Sequence, residues 1–247
     1  MTSMDARLNA LVERDLHHEC PGYGQDHVCV RIVAVAKLPS RFGDFRIVAF
    51  WNNRDQKDHI AIVHGDVVGA EDVPTRMHSE CLTGDVIGSL RCDCRDQLET
   101  ALKKIGAMER GVVLYLRQEG RGIGLANKIR AYSLQDQGMD TVEANLALGF
   151  RDDERDYAIA AHMLQSLGIS SVQLMTNNPS KVQQLEQYGV KVSQRLPHLL
   201  PPNPHNRFYL ETKALRSGHY IDFTGLPRLQ EQSDPVRVEG MPESGGA

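Results

Sequence analysis

The sequence is poor in cysteine and aromatics and has no long apolar run. Its five cysteines, an odd number, do not make the disulfide framework of a small secreted fold. The first twenty residues carry Asp5, Glu13, Asp15 and Glu19 without an apolar block, so no export signal is expected. The thiols are therefore expected to be reduced, in a cytoplasmic setting. Gly111–Leu116 is among the longest apolar runs, far short of the roughly 18–20 residues that cross a bilayer. Neither sign of charge dominates: 28 Lys plus Arg stand against 32 Asp plus Glu, a formal net charge of −4. That balance excludes coating of nucleic acid by bulk charge but leaves room for a local basic cleft. With aromatics at 6%, none interleaved along a basic face, a single-strand stacking platform is also disfavoured.

What is present is an alternation of patterns. Residues 1–26 combine a short amphipathic stretch (Leu8, Leu11, Val12) with a His/Gly/Asp-rich segment, and read as a peripheral N-terminal extension. Val28–Val35, Asp44–Phe50 and His59–Val63 read as strands bounded by turn residues. From about residue 95 the period changes: Leu98, Ala101, Leu102, Ile105 and Met108 fall on one helical face. Val112–Leu116 follows as a buried strand. Further helices are expected over 123–136 and 153–167, then a strand at Ser171–Met175. Asn178 as N-cap with Pro179 at the first helical position opens another helix, and Val190–Ser193 is a last strand. The predicted fold class is α/β, a layered domain over 27–226 with a mixed central sheet flanked by helices. Residues 227–247, rich in Pro, Gly, Ser and charge, read as a disordered tail.

Three stretches carry candidate chemistry. Cys81, Cys92 and Cys94 have C-x10-C-x-C spacing in polar company. Thiolates are soft ligands, and three of them leave a fourth zinc position open, as in catalytic sites. Three small buried hydrophobes are the alternative. His78 lies near enough in sequence to be a further ligand, whereas Cys20 and Cys29 sit in a different context and are left outside the set. Second, Arg117–Arg130 holds Gly120, Gly122 and Gly124 with four cations and one carboxylate, a local charge of +3 that suits phosphate. It matches neither a dinucleotide fingerprint nor a P-loop. Third, Arg155 is expected in the first turn of a helix, where a cation opposes the dipole at a small cost that an anionic ligand would reverse; a helix start capped by Asp152 or Asp153 is the alternative reading of this stretch. Thr176 and Lys181 flank another strand-to-helix turn.

Together, the blocks Arg76–Asp85, Ser89–Cys94, Arg117–Arg121, Asn127–Tyr132, Asp140–Asn145, Asp153–Asp156, Thr176–Pro179 and Tyr209–Lys213 resemble the GTP cyclohydrolase II family. The resemblance runs from about Val30 to Ile221 and implies a GTP cyclohydrolase II-like fold. It implies hydrolysis of GTP to 2,5-diamino-6-(5-phosphoribosylamino)pyrimidin-4(3H)-one, with loss of formate and pyrophosphate, in riboflavin biosynthesis. It assigns Cys81, Cys92 and Cys94 to one zinc ion. It assigns Arg76, Met77, His78, Ser79, Glu80, Gln97, Glu119, Gly120, Arg121, Thr141, Thr176 and Lys181 to GTP contacts. Asp153 corresponds to a proposed general base, Arg155 to a proposed nucleophile at the α-phosphate, and Tyr132 to a tyrosine important for turnover. For Arg155, an electrostatic clamp on the α-phosphate is the rival role. Mg²⁺ is expected with the triphosphate, and a homodimer is expected, with no nucleic-acid or membrane partner. The rival functions are a paralogue that stops at the formamidopyrimidine nucleotide and a non-catalytic zinc or nucleotide-binding module.

Overall fold

A computed structural model of the chain describes residues 3–20, 27–203, 205–216, 218 and 220. The strands are β1 (Val30–Ser40), β2 (Gly43–Asn52), β3 (His59–His64), β4 (Val73–Ser79), β5 (Gly111–Leu116), β6 (Ser171–Met175) and β7 (Lys191–Leu196). They form one sheet in the order β1-β2-β3-β5-β4-β6-β7. β1, β2, β3 and β5 pair antiparallel, while β5, β4, β6 and β7 pair parallel. The sheet is therefore mixed, as the patterns predict. The helices are α1 (Met4–Leu16), α2 (Cys94–Gly106), α3 (Leu125–Gln135), α4 (Thr141–Ala147), α5 (Ala158–Ser166), α6 (Pro179–Gln187) and α7 (Arg207–Arg216).

Strand alternation divides the core into two layers. Val112, Leu114 and Leu116 of β5 point into the larger cluster, where α1, α5 and α6 contribute Leu8, Met163, Leu164 and Leu185. Val113, one residue out of phase, joins Phe45, Met175 and the α2 residues Ala101 and Ile105 on the other face. The parallel strands β4, β5 and β6 end together, and their carboxyl ends deliver Ser79, Arg117 and Thr176 to one edge. That edge is where open α/β sheets place ligands.

Several sequence expectations need correction. Residues 4–16, expected to be peripheral, form a helix whose Leu8 is fully buried in the main core. The Asp15 carboxylate at its C-terminal end accepts the Ile32 amide at 2.7 Å, fastening α1 to β1. Cys20 and Cys29 are joined as a disulfide, with Cα atoms 5.7 Å apart, because the chain leaving α1 meets the start of β1. The helix expected over 153–167 begins only at Ala158. The preceding backbone is committed elsewhere. The Glu154 amide donates to Arg121 O at 3.0 Å, and Gln118 Nε2 donates to Asp156 O at 2.7 Å. The Asp156 carboxylate then caps Ala158 at 2.8 Å. β4, α4 and α7 were not anticipated, although α4 opens on a capping box between Asp140 and Glu143. Asn178 caps α6 with Pro179 in its first turn, as expected. Residues 227–247 lie outside the described residues.

Removing the Leu8 side chain tests whether α1 belongs to the cooperative fold. Leu8→Ala is expected to cost about 2–4 kcal/mol of unfolding free energy. An unchanged urea midpoint would show that α1 is an appendage.

Candidate active site

Cys81 follows β4, and the chain then makes a single wide turn over Leu82–Val86 before reaching Cys92 and Cys94 at the start of α2. The three sulfurs lie within 4.8 Å of one another. Gly84 permits this approach. A Cβ on it would stand 2.8 Å from the Cys92 sulfur and 3.0 Å from that of Cys81, closer than such contacts allow. The Gly84 amide donates to Cys81 Sγ at 3.3 Å. Beneath the turn, the Asp85 carboxylate accepts the Cys81 amide at 3.0 Å and the Tyr115 hydroxyl at 2.9 Å. His78 Nε2 bonds to the same carboxylate at 3.0 Å, so this imidazole supports the turn and lies outside the sulfur cluster. Its burial holds the His78 pKa below the ordinary value despite Asp85.

Charge at the cluster is balanced by one buried cation. Lys128 Nζ donates to Cys81 Sγ at 3.1 Å and to Glu119 Oε1 at 2.7 Å. Burial disfavours this ammonium, but Glu119 and Cys81 outweigh it and keep it charged. Glu119 Oε2 accepts the Leu82 amide at 2.6 Å, tying the glycine-rich turn to the cysteine turn. Cys81 is held as the thiolate by donation from the other two thiols and from Lys128. The Cys92 thiol, beside that thiolate, is pushed up to about 11. Three convergent sulfurs with a compensating ammonium fit a soft divalent ion such as zinc.

A two-lobed cavity opens beside the sulfurs. Ser79, Glu80, Glu119, Gly120, Arg121, Tyr132 and Thr141 line the lobe at the sulfurs. Arg76, His78, Gln97, Thr176 and Lys181 line the other, and Ser79, Cys94, Arg121 and Arg155 border both. The second lobe is cationic. Arg76 is buried, donates to Met175 O at 2.8 Å and to Gln97, and its Nε has no hydrogen-bond partner. Burial lowers its pKa to about 10, which leaves it charged at neutral pH. Lys181, equally buried, donates to Met77 O at 2.7 Å. His198 adds an unpartnered Nδ1. Burial and then Arg76 hold its pKa down to about 3, so it is neutral.

Arg155 reaches the junction of the lobes, paired with Asp153 through Nε–H···Oδ1 at 2.8 Å and a second guanidinium contact. Burial opposes the Asp153 charge, but the Arg155 hydrogen bonds outweigh it and hold the carboxyl below its ordinary range. The Tyr132 hydroxyl lies 3.3 Å from Thr83 Oγ1, and burial raises its pKa. The glycine-rich turn is itself tightly specified. Gly120 and Arg121 both have positive φ, at 62° and 57°, a conformation that costs a non-glycine residue roughly 1 kcal/mol or more.

Against the sequence expectation, two assignments sit apart from the cavity wall. The Met77 side chain is fully buried in the main core, and Asp153 stands behind Arg155. Part of the local +3 of Arg117–Arg130 is matched from outside the stretch, where Arg117 faces Glu80 at 3.5 Å and Arg121 pairs with Asp152, while Lys128 pairs with Glu119, the carboxylate already counted in that sum. In the second lobe the buried cations are Arg76 and Lys181, joined at the border by Arg121 and Arg155. Gln118, Asn145, His198 and His205 also line the cavity and were not anticipated. Asn145 closes the Asp140–Asn145 block, a visible signal. His198 and His205 had none.

Comparison with known proteins agrees with this geometry. The family model for GTP cyclohydrolase II matches residues 30–197. The chain belongs to the GTP cyclohydrolase II family. The GTP cyclohydrolase-2 of Picrophilus torridus is 57% identical over 190 residues, covering 77% of this chain and 98% of that protein. That of Aeromonas hydrophila is 57% identical over 190 residues, covering 77% and 96%. A riboflavin biosynthesis protein RibBA from Endomicrobium trichonymphae is 56% identical over 184 residues, 74% of this chain and 46% of that one. The chain is thus an enzyme of the GTP cyclohydrolase II type. The family match spans the three cysteines, the glycine-rich turn and the Asp153–Arg155 pair, and leaves α1 and α7 outside.

Gly84 offers a direct test of the sulfur cradle in this family member. Gly84→Ala is expected to reduce bound zinc at least tenfold after dialysis, measured by elemental analysis, with the fold retained by circular dichroism. Full zinc content would show that the turn has slack.

Proposed function

We propose that this chain hydrolyses GTP to 2,5-diamino-6-(5-phosphoribosylamino)pyrimidin-4(3H)-one, releasing formate and pyrophosphate, as the first step of riboflavin biosynthesis. The observation that carries this reading is one cavity with three convergent sulfurs at one end and the buried cations Arg76 and Lys181 at the other. That polarity suits a ligand with a purine base at one end and phosphates at the other.

Cys81, Cys92 and Cys94 would hold zinc, which supplies Lewis-acid activation of water for opening the purine ring. Lys128 offsets one of the three thiolate charges and fixes the Cys81 sulfur. Tyr132, whose pKa is raised by burial, keeps its proton and can donate a hydrogen bond at the base end. In the second lobe, Arg76 Nε is a buried donor without a partner. Pairing such a donor with a phosphate oxygen removes a desolvation cost of about 1–3 kcal/mol. Mg²⁺ would accompany the triphosphate and share its neutralisation.

For Arg155 we infer the clamp. Its guanidinium is engaged by both oxygens of Asp153, and a guanidinium with a pKa above about 12 cannot surrender a proton to so weak a base. It therefore neutralises charge developing on the α-phosphate. The reading includes a homodimer and a cytoplasmic setting. Exposed Val86, Ile87, Leu90, Ile129 and Leu146 on segments beside the cavity support the dimer.

Incubation with GTP and Mg²⁺, followed by chromatographic product identification, tests the activity. Formate and pyrophosphate are expected in equal amounts, both lost with a zinc chelator and restored by zinc. A retained formyl group or an intact triphosphate would identify a paralogue on the same fold. Turnover by metal-free protein would remove the cluster from catalysis.

Arg155→Ala is expected to lower kcat by about 10²–10³, and a single-turnover quench should yield no guanylylated peptide. Recovery of a peptide guanylylated at Arg155 would overturn the clamp.

A further inference from the structure

A second set of thiol and imidazole donors lies outside the site just described. His18, Cys20 and Cys29 place one imidazole nitrogen and two sulfurs within 4.8 Å of one another. His18 Nε2 is 3.3 Å from Cys29 Sγ. None of the three lines either lobe of the cavity, and all lie before the family match begins at residue 30. The spacing is His-x-Cys-x8-Cys.

Both sides of this cluster are positioned by contacts that do not involve the sulfurs. The His18 amide donates to Asp15 O at 3.2 Å, directly after α1. Asp15 in turn holds the Ile32 amide of β1. Cys29 is buried, and Asn53, fully buried, grips its backbone. The Cys29 amide donates to Asn53 Oδ1 at 2.8 Å, and the Asn53 amide donates to Cys29 O at 3.2 Å. Asn53 Nδ2 donates to His27 O at 2.8 Å. These bonds hold the backbone at His18 and at Cys29 whether or not the sulfurs are bonded to each other, and Cys20 follows His18 by two residues.

We propose that His18, Cys20 and Cys29 form a second binding site for a soft divalent cation such as zinc, which becomes available when the Cys20–Cys29 disulfide is reduced. The two states exclude each other, because both use the same sulfur electron pairs. Opening the disulfide needs two electrons and two protons. A dithiol reductant supplies them and is itself oxidised to a disulfide. On binding the cation the two thiols release their protons to solvent, and His18 coordinates as neutral imidazole. Two thiolates and one divalent ion sum to zero charge, which suits a partly buried site. In either state the site pins the chain leaving α1 to the start of β1, so reduction does not release the helix if the cation is present.

The full-length protein is reduced with a dithiol, freed of it anaerobically, exposed to excess zinc, desalted and analysed for metal per chain. The reduced protein is expected to carry two zinc ions, and the oxidised protein one. Reduced Cys20→Ser should carry one and keep its GTP turnover, because Cys20 lies outside the catalytic cavity. Reduced Cys92→Ser should also carry at least one, held at the N-terminal site, which separates this proposal from the catalytic one. Cobalt gives a second readout: the thiolate-to-cobalt charge-transfer band of reduced Cys92→Ser should disappear when His18→Ala and Cys20→Ser are added. Equal zinc in reduced wild type and reduced Cys20→Ser would overturn the proposal, as would an unchanged cobalt band.

Discussion

The contact between the Lys128 ammonium and the Cys81 sulfur is the interaction on which the rest of the site depends. Sulfurs gathered this closely are thiolates in waiting. Two unit charges about 4 Å apart repel by roughly 4 kcal/mol at an effective dielectric of about 20. Without a cation in the same buried volume the cluster would stay protonated or spread apart. Lys128 is itself costly to bury, and Glu119 offsets that cost. Glu119 reaches it only because the chain reverses at Gly120 and Arg121 with positive φ. One carboxylate thus joins the cysteine turn, through the Leu82 amide, to the glycine-rich turn.

The sheet explains why these turns meet. β4, β5 and β6 are parallel neighbours, so their carboxyl ends open on the same edge. The segment after β4 carries the first cysteine, that after β5 the glycine-rich turn, and that after β6 Thr176 and the N-terminus of α6. α2 starts at that edge too, and brings Cys94 and Gln97. The antiparallel half of the sheet supplies no cavity wall. It provides the layer on which α1 and α5 pack.

Much of this was legible in the sequence. The helix over Cys94–Gly106, the strands at 111–116 and 171–175, and the α6 cap each rest on local signals: periodicity, an apolar run, an Asn-Pro pair. The metal-type donors were legible from residue type and spacing. The expected helix start at 153 was not met, because hydrogen bonds to Gln118 and Arg121, distant in sequence, hold residues 154–156 out of helical geometry. The Cys20–Cys29 bond went against expectation for a similar reason. Compartment arguments from cysteine number do not register that α1 and β1 converge there. His198 and His205 were invisible because nothing local distinguishes a histidine that lines a cavity from one that does not.

By itself the sequence determined the alternation of elements and the chemical types available, since periodicity, capping and side-chain chemistry are properties of neighbours along the chain. Only the tertiary structure decided which charges remain for a ligand. The basic stretch after β5 is a phosphate site on paper, yet two of its four cations face carboxylates from other segments and a third pairs with Glu119 of its own turn. Arg76, inside β4, becomes a buried cation whose Nε has no hydrogen-bond partner, a property that no sequence pattern conveys. Charge is additive along a chain, but its availability depends on partners, and partners are set by the fold.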